Sequence, residues 1–565
     1  MELLDSRRLT GANILSNRPG AVIDVAIPED ARDSMIEAWG AAAHRRLDAL
    51  GWSDECTFVR VSPDGASLAI SAPLDALYAA TEVNESAWNA AVASVRGDAP
   101  IEFGAELERL RAEIDAESNP ALIAMRTAAL AHGTAFLSDD DYVSVGLGTG
   151  SRTWPVDAIP TPGEVDWSVL HDVPTAMITG TNGKTTTVRL LASIAAAAGK
   201  CAGVTSTDRV RIGDEVLEEG DWSGPGGARL VLRHPRTELG LLETARGGML
   251  RRGLALEHCD VSAVLNVGAD HLGEWGVGTL EGLAEGKFVI TRVARTVVLN
   301  ADDPVVLRLS EELESEIVWF TLDADSLVLA HQMARGGRAA FLENGALWLS
   351  RGTQRERLLG VEEVPITMAG AARYNVANAL AAAAIADCLG FSAEEIRAGL
   401  HRFESDRHGN PGRMNRYEFG GVQAIVDYAH NPHGFEALFE LLRELPAKRR
   451  LVLLGQAGDR DEESIREMVR ITVEAKTDMI VIKELTEHLR GRELGEIPAL
   501  IESVLRALGV PGDRFVHCAG ELEAVDWALA WARPGDLLLL LAHERRDEVL
   551  ERLEKLESES GPAEA

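Results

Sequence analysis

Between residues 171 and 412 short apolar, β-rich runs alternate with helical ones, and no other feature of the chain restricts its fold so strongly. The runs at 175–179, 203–207, 240–244, 261–267 and 296–300 are too short for helices, and the stretches between them read as helical. A parallel strand pair needs a crossover of about a dozen residues or more, usually a helix, so the pattern predicts a largely parallel sheet covered by helices. Two hairpins are expected to decorate it, turning at Gly213-Asp214 and at Asn344-Gly345, the second being a strong two-residue turn signal. The alternation returns over 413–565, with runs at 424–428, 451–454, 479–483, 514–517 and 537–541, and predicts a second, smaller doubly wound α/β unit. Residues 1–170 read instead as a mixed α+β block. Amphipathic helices are expected at 30–50 and at 106–131, broken near Pro120, with a hairpin in which Pro63-Asp64-Gly65 turns 56–61 back into 67–71. The block ends in Gly146-Leu147-Gly148-Thr149-Gly150, expected to be a flexible turn, and in a stretch with Pro155, Pro160 and Pro162 that looks like a linker. An acidic tail from Glu551 is expected to fray.

Composition allows this much structure and excludes several functions. With 565 residues, 46% of them hydrophobic and 26% charged, the chain is long enough for about three or four domains of ordinary soluble character. Its start lacks the basic-then-apolar order of a signal peptide, and apolar runs such as 537–542 are far too short to cross a bilayer, so a cytoplasmic protein without a membrane partner is expected. The five cysteines are scattered, with no CxxC pair and no histidine at ligand spacing, and read as small core residues. A formal net charge of −33 argues against nucleic acid or an anionic membrane, because a binder of phosphate polymers must neutralise charge. A cationic substrate would suit that charge, as would a merely solvated acidic surface.

The run Thr179-Gly180-Thr181-Asn182-Gly183-Lys184-Thr185-Thr186-Thr187 stands between a strand and an alanine-rich helix at 188–198. Backbone N–H groups at a helix start, with glycines that permit close approach, form an anion cradle; Lys184 adds a mobile positive charge and Thr185 can reach a magnesium ion. A nucleotide-phosphate site is therefore expected at Gly180, Thr181, Asn182, Gly183, Lys184, Thr185 and Thr186. Ile178 takes the place of the first glycine of the general phosphate-loop pattern, but the strand and helix context is intact. Downstream, Glu243 closes one apolar strand and His271 follows another, both at the carboxyl ends where open α/β sheets bind ligands. A carboxylate and an imidazole beside a phosphate site suit magnesium held between nucleotide and substrate. Either residue alone would more often be structural; their coincidence with the loop gives them a functional reading.

Taken together, the phosphate loop, Glu243 and His271 resemble the Mur ligase superfamily. The segments Glu243-Thr244-Ala245-Arg246-Gly247-Gly248-Met249-Leu250-Arg251-Arg252-Gly253-Leu254 and Asp427-Tyr428-Ala429-His430-Asn431-Pro432 look most like the ligase half of the cyanophycin synthetases. Gly458-Asp459-Arg460, Lys483-Glu484 and Leu489-Arg490-Gly491-Arg492 extend the similarity, which runs over about residues 171–540. A shorter match, Arg7-Arg8-Leu9-Thr10-Gly11, resembles the opening of that family's N-terminal domain. Cyanophycin synthetases carry an ATP-grasp domain between those parts; here only a linker stands there, so their second ligase activity is expected to be absent. The resemblance implies a three-domain Mur ligase architecture: an α+β N-terminal domain at 1–170 that docks acceptor or partner, a central P-loop α/β ATPase domain with a parallel sheet at 171–412, and a C-terminal Rossmann-like α/β domain at 413–565.

It also implies an ATP-dependent ligase that joins a carboxylate to an amine through an acyl-phosphate, with ATP and one or two Mg2+ ions as cofactors. The amine would be that of an amino acid, arginine in the nearest relatives, and the acceptor an aspartate-containing or other carboxylate or peptide. A separate ligase enzyme as partner and a homo-oligomer are both compatible with this reading. Lys287 matches a lysine that several Mur ligases carbamylate to hold a second magnesium, with an unmodified ion pair as the alternative. Asn375 and Asn378 match the segment that binds adenine, although Tyr374 replaces the histidine common there. Arg413 matches an arginine that meets the γ-phosphate, and Asp427 an acid that anchors the ribose. His430 either stacks near the nucleotide or packs within its loop. The competing reading is a catalytically inactive nucleotide-binding scaffold or regulatory protein; the joint presence of Lys184, Glu243, His271 and Arg413 counts against it.

Overall fold

The computed structural model describes residues 1–98, 102–270 and 276–560, and all statements of structure below refer to them. The largest sheet has eleven strands. Its inner strands are parallel and lie side by side in the order Ala202–Thr205, Leu239–Glu243, Thr175–Thr179, Cys259–Val264, Ala294–Asn300, Glu316–Thr321 and Arg338–Glu343. Antiparallel strands close both edges, the hairpin Arg209–Ile212 with Glu215–Glu219 at one and, at the other, the hairpin Arg338–Glu343 with Ala346–Arg351 extended by edge strand Gln354–Gly360. At the second turn Asn344 and Gly345 have φ of 49° and 72°, the left-handed pair that a two-residue hairpin requires. Strand residues alternate between two apolar layers. Ala176 and Ile178 join the layer with helices Lys184–Ala197, Arg373–Cys388 and Ala393–Arg402, whereas Met177 joins the layer with Pro225–Leu232, Leu280–Phe288 and Leu327–Ala334. Both faces are covered, as a parallel sheet demands.

The C-terminal sheet repeats this on a smaller scale, with six strands in the order Asn415–Phe419, Val422–Asp427, Leu537–Leu541, Arg450–Leu454, Met479–Lys483 and Phe515–Cys518. Its centre is a run of five leucines: Leu537, Leu539 and Leu541 pack into one layer, Leu538 and Leu540 into the other. As far as residue 560 the acidic tail expected to fray is instead the second half of helix Arg546–Ser560, because Val549, Leu550 and Leu553 recur at helical spacing and are buried against the sheet; residues 561–565 of that tail lie outside the described residues.

In the N-terminal block the expected hairpin forms, Ser62 lying opposite Gly65, and helices run over Arg32–Leu50, Phe103–Glu117 and Pro120–Ala131. Strands Glu2–Leu9 and Gly20–Ala26 and helix Leu77–Arg96 complete it, none of which the sequence pattern had announced. The block is bound to the large sheet by backbone: Thr10 N–H donates to the Arg252 carbonyl and Leu254 N–H to that of Ala12, each at 2.8 Å. The glycine run 146–150 is likewise a tight seam and not a flexible turn or the start of a linker. Thr149 N–H donates to the Thr237 carbonyl at 2.8 Å, and a Cβ on Gly148, whose φ is 54°, would stand 2.1 Å from that oxygen. The following residues 152–155 pair as the third strand of a small sheet with Tyr142–Val145 and Phe136–Ser138. No described helix is long and apolar enough to cross a membrane.

Candidate active site

Strand Thr175–Thr179 runs into loop 180–183, and Gly183 opens helix Lys184–Ala197 with φ of 86°. Glycine is required there twice over, for the φ and because a Cβ would stand 2.3 Å from Asn378 Oδ1. The neighbouring strand stops at Val264, short of the expected residue 267, and residues 265–268 leave the sheet to clasp the loop. Thr181 N–H donates to the Asn266 carbonyl (3.0 Å), Asn182 N–H to Asn266 Oδ1 (2.9 Å), and Gly268 N–H to Thr181 Oγ1 (2.9 Å). The Lys184 ammonium rests on the carbonyls of Gly180 and Thr181, at 3.0 and 3.2 Å. Thr185 and Thr186 follow in the first, buried helical turn.

Glu243 ends the adjoining strand and is 2% exposed. Its Oε2 accepts a long bond from Thr207 N–H (3.4 Å), the Thr185 hydroxyl stands close by, and its Oε1 is buried without a hydrogen-bond partner among the described residues. Burial pushes this carboxyl above its ordinary range, while Lys184, Thr185 and Arg413 pull it back. A buried carboxylate oxygen left without a donor, beside a phosphate-loop threonine, is the donor chemistry a hard divalent cation takes, so Thr185 and Glu243 fit magnesium. His271, expected beside them, lies outside the described residues. Lys287, on helix Leu280–Phe288, reaches the same cavity at 4% exposure. Burial lowers its pKa to about 7, Lys184 adding to the shift and Asp270 opposing it. Asp270 is the one carboxylate among the described residues that acts on its charge, so the carbamate and the ion pair both stay open for Lys287.

Asn375 and Asn378 occupy the first two turns of helix Arg373–Cys388 on the cavity wall. Asn375 Nδ2 donates to the Ile366 carbonyl and Asn378 Nδ2 to Asn375 Oδ1, both at 3.1 Å, and Asn378 packs directly against Gly183 of the phosphate loop. Tyr374, between them and Asp427, buries a hydroxyl with no partner among the described residues.

The facing wall comes from the C-terminal sheet. The Arg413 guanidinium lies over the Tyr428 ring, 4.5 Å from its centroid. Asp427 accepts from Met414 N–H (3.0 Å) and Ala429 N–H (2.8 Å); burial raises its carboxyl and Arg413 lowers it. His430 contacts the Tyr428 carbonyl through Nδ1 (3.0 Å) and faces Asp270 of the other wall through Nε2 (3.9 Å). Side chains from both walls meet across the cavity, and two of them, His433 and Asp208, were passed over by sequence reasoning. Asn182 Nδ2 donates to Asn431 Oδ1 (3.1 Å) and His433 Nδ1 (2.8 Å), Arg460 pairs with Asp270, and Arg546 pairs with Asp208 at 2.7 Å. For those two the only sequence signal was position, His433 directly after the 427–432 motif and Asp208 just beyond a strand end. The walls enclose a cavity of about 1590 Å³ that holds Lys184, Glu243, Lys287, Arg413, Asp427 and His430 together.

Residues 178–386 match the Mur ligase middle domain, and residues 412–543 match the Mur ligase glutamate ligase domain. Over 371 residues the chain is 40% identical to the cyanophycin synthetase of Crocosphaera subtropica, a span of 65% of this chain and 42% of that protein. It is 28% identical over 408 residues to the UDP-N-acetylmuramoyl-L-alanyl-D-glutamate–2,6-diaminopimelate ligase of Geobacter metallireducens, covering 66% of this chain and 74% of the relative. The chain thus spans about two fifths of the cyanophycin synthetases it matches. In fold it is like E. coli FolC solved in complex with ADP, without folate substrate, with a TM-score of 0.50 at 21% identity over 69% of this chain and 90% of that one. A phosphate-loop α/β sheet followed by a smaller α/β sheet is the expected fold class, and the central and C-terminal parts of the chain belong to the Mur ligase family.

Proposed function

We propose that the chain is an ATP-dependent carboxylate–amine ligase that works through an acyl-phosphate. The observation that carries this reading is Glu243, a buried carboxylate with an unpartnered oxygen set among Lys184, Thr185 and Arg413. A protein that only binds nucleotide has no need to bury that charge. The N–H groups of residues 180–186 and the Lys184 ammonium would cradle the ATP phosphates. Thr185 and Glu243, with His271, would hold magnesium, which when bound supplies Lewis-acid stabilisation of phosphoryl oxygens. Arg413 brings its planar fork from the opposite wall to the same charge. Asn375 and Asn378 would meet the adenine edge and Asp427 the ribose, each through lone pairs its internal bonds leave free. Lys287, near half neutral at pH 7, offers the amine form that carbamylation requires, and the resulting anion would suit a second magnesium.

In the reaction an acceptor carboxylate oxygen attacks the γ-phosphorus and the bond to ADP breaks. The neutral amine then attacks the activated carbonyl, phosphate leaves, and the amine gives up a proton. Contacts from both walls enclose the cavity, which keeps water from the mixed anhydride. Residues 1–170 are assigned to acceptor or partner docking, 171–412 to nucleotide binding and 413–565 to the amine. The 40% identity to a cyanophycin synthetase supports an amino acid amine, arginine first, and an aspartate-containing acceptor; the net charge of −33 suits a cationic amine. The test is ADP release screened over all amino acids with and without short aspartyl peptides, with hydroxylamine as a trap. Amine-dependent ADP release and a hydroxamate are expected. ADP formation indifferent to every amine, or oxygen-18 that never passes from acceptor carboxylate to phosphate, excludes the proposal.

A further inference from the structure

Asp208 lies on the loop after strand Ala202–Thr205, at the carboxyl end of the large sheet, with a side chain 10% exposed. Each of its oxygens holds an arginine from a different wall of the cavity. Oδ2 accepts from Arg189 Nη2 at 2.6 Å, and Arg189 sits on the helix that begins at Lys184. Oδ1 accepts from Arg546 Nη1 at 2.7 Å, and Arg546 begins the last helix of the C-terminal sheet. Both arginines lead onward to the segment that bears Arg413. Arg189 Nη1 donates to Asn410 Oδ1 at 2.9 Å, and Asn410 Nδ2 in turn donates to the Arg413 carbonyl at 3.3 Å. The Arg546 side chain crosses Gly412, where a Cβ would stand 2.4 Å from Arg546 Cδ and where φ is 67°.

The Arg413 guanidinium itself forms no salt bridge among the described residues, and its Nε is buried without a partner. Its direction therefore depends on the backbone that carries it and on the Tyr428 ring beneath it. The loop that presents Arg546 is rigid. The buried Glu521 carboxylate, paired with Lys483, accepts the N–H groups of His543, Glu544 and Arg545 at 2.8, 3.2 and 2.8 Å. Exposed ion pairs contribute little, but this one is largely out of water and joins two sheets, so its geometry is set and not merely permitted.

We propose that Asp208 is a positioning residue: by fastening Arg546 and Arg189 together it fixes the backbone of Arg413 and couples approach of the C-terminal sheet to completion of the phosphoryl-transfer site. The proposal rests on the ligase reading above. When the walls part, the Arg546 bond breaks while the Arg189 bond, internal to the first wall, stays.

The experiment compares Asp208→Asn, Arg546→Met, Arg546→Lys and the Asp208→Asn/Arg546→Met double variant with the unaltered chain, after confirming that each unfolds cooperatively. Small-angle scattering and amine-dependent ADP release are both measured. Arg546→Met should expand the protein in solution and lower kcat by about 100-fold, the scale of a misplaced catalytic group. KM for ATP should move by less than about threefold, because the loop contacts remain. The double variant should be no worse than Asp208→Asn alone, and Arg546→Lys should recover most of the loss. Unchanged scattering and kcat in Arg546→Met, or additive effects in the double variant, overturn the proposal. If the unaltered chain released no ADP while Arg546→Met still expanded, the ligase reading would fail and the fastening would stand.

Discussion

The two walls of the cavity are built on different terms. On the wall from the large sheet, residues 180–186 and Glu243 sit at the ends of adjacent parallel strands, Glu243 paired in register with Ile178. Helix start, strand register and the 265–268 clasp all lie within one sheet, so this wall keeps its geometry by itself. On the wall from the C-terminal sheet, Arg413, His430, Arg460 and Arg546 come from separate segments, and most of them find their polar partners across the gap. The first wall is preorganised and the second is completed by contact. A group lost from the first should remove chemistry, whereas one lost from the second should disturb assembly.

Lys184→Ala gives the sharpest contrast. The ammonium bonds only to two loop carbonyls, so its removal should leave the unfolding temperature nearly unchanged. ATP turnover should fall by about 1000-fold, the upper end of what loss of a preorganised charge-stabilising donor costs. Calorimetry paired with an ADP assay checks both halves. A folded variant that still produced ADP at a near-normal rate would dissolve the distinction between the walls.

Lys287 sharpens the comparison from a second side, because the first wall buries a base whose charge state matters. Its pKa is lowered from 10.5 to about 7, chiefly by burial. A depressed lysine contributes stability that is present above the unfolded value of 10.5 and lost as pH falls through about 7, so the metal-free protein should weaken over that window. Lys287→Met should flatten that part of the stability profile. Activity of Lys287→Ala should fall by about 10- to 100-fold, as when a group tuning a metal site is removed. Small carboxylates should restore part of it if the carbamate is the working form. Thermal unfolding from pH 7 to pH 10.5, with and without the substitution, measures the first effect. Failure of carboxylate rescue would return Lys287 to a plain ammonium.

What the sequence disclosed follows the same division. Wherever a structure is decided by neighbours along the chain it was legible: the Asn344-Gly345 turn, the leucine run 537–541, and the strand–glycine–helix passage at 179–187. Glycines 146–150 were misread because a glycine needed for mobility and one needed for close backbone approach look alike in a sequence. The Thr237 carbonyl, 89 residues away from Gly148 in number, and the His171 carbonyl against Gly146 and Gly150 tell them apart. Between Glu551 and Ser560 the tail was misread because its exposed charges outnumber Leu553, which with Val549 and Leu550 of the preceding turn docks the helix. Asp208, Arg189 and Arg546 form one site only after two sheets have been placed against each other, and no spacing rule joins positions so far apart.

His430 should show the smallest effect. Sequence left two roles open, stacking near the nucleotide or packing within its loop, and we propose the second. Nδ1 is taken up by the Tyr428 carbonyl at 3.0 Å, the ring meets Tyr428 edge to face at 5.4 Å, and Nε2 stands 3.9 Å from Asp270. Burial lowers its pKa to about 4, with Asp270 opposing and Arg460 assisting, so the ring is neutral throughout the working range. A neutral ring already spoken for at one nitrogen neither donates a proton to a leaving group near pH 7 nor neutralises phosphate. His430→Gln should therefore keep kcat/KM within about threefold, far from the 100-fold or more that loss of a general acid or base costs. The pH–rate profile of the unaltered chain should likewise have no limb near 6.5 that disappears in the variant. A large fall in kcat together with loss of such a limb would place His430 in contact with the reacting groups, and the second wall would then carry chemistry of its own.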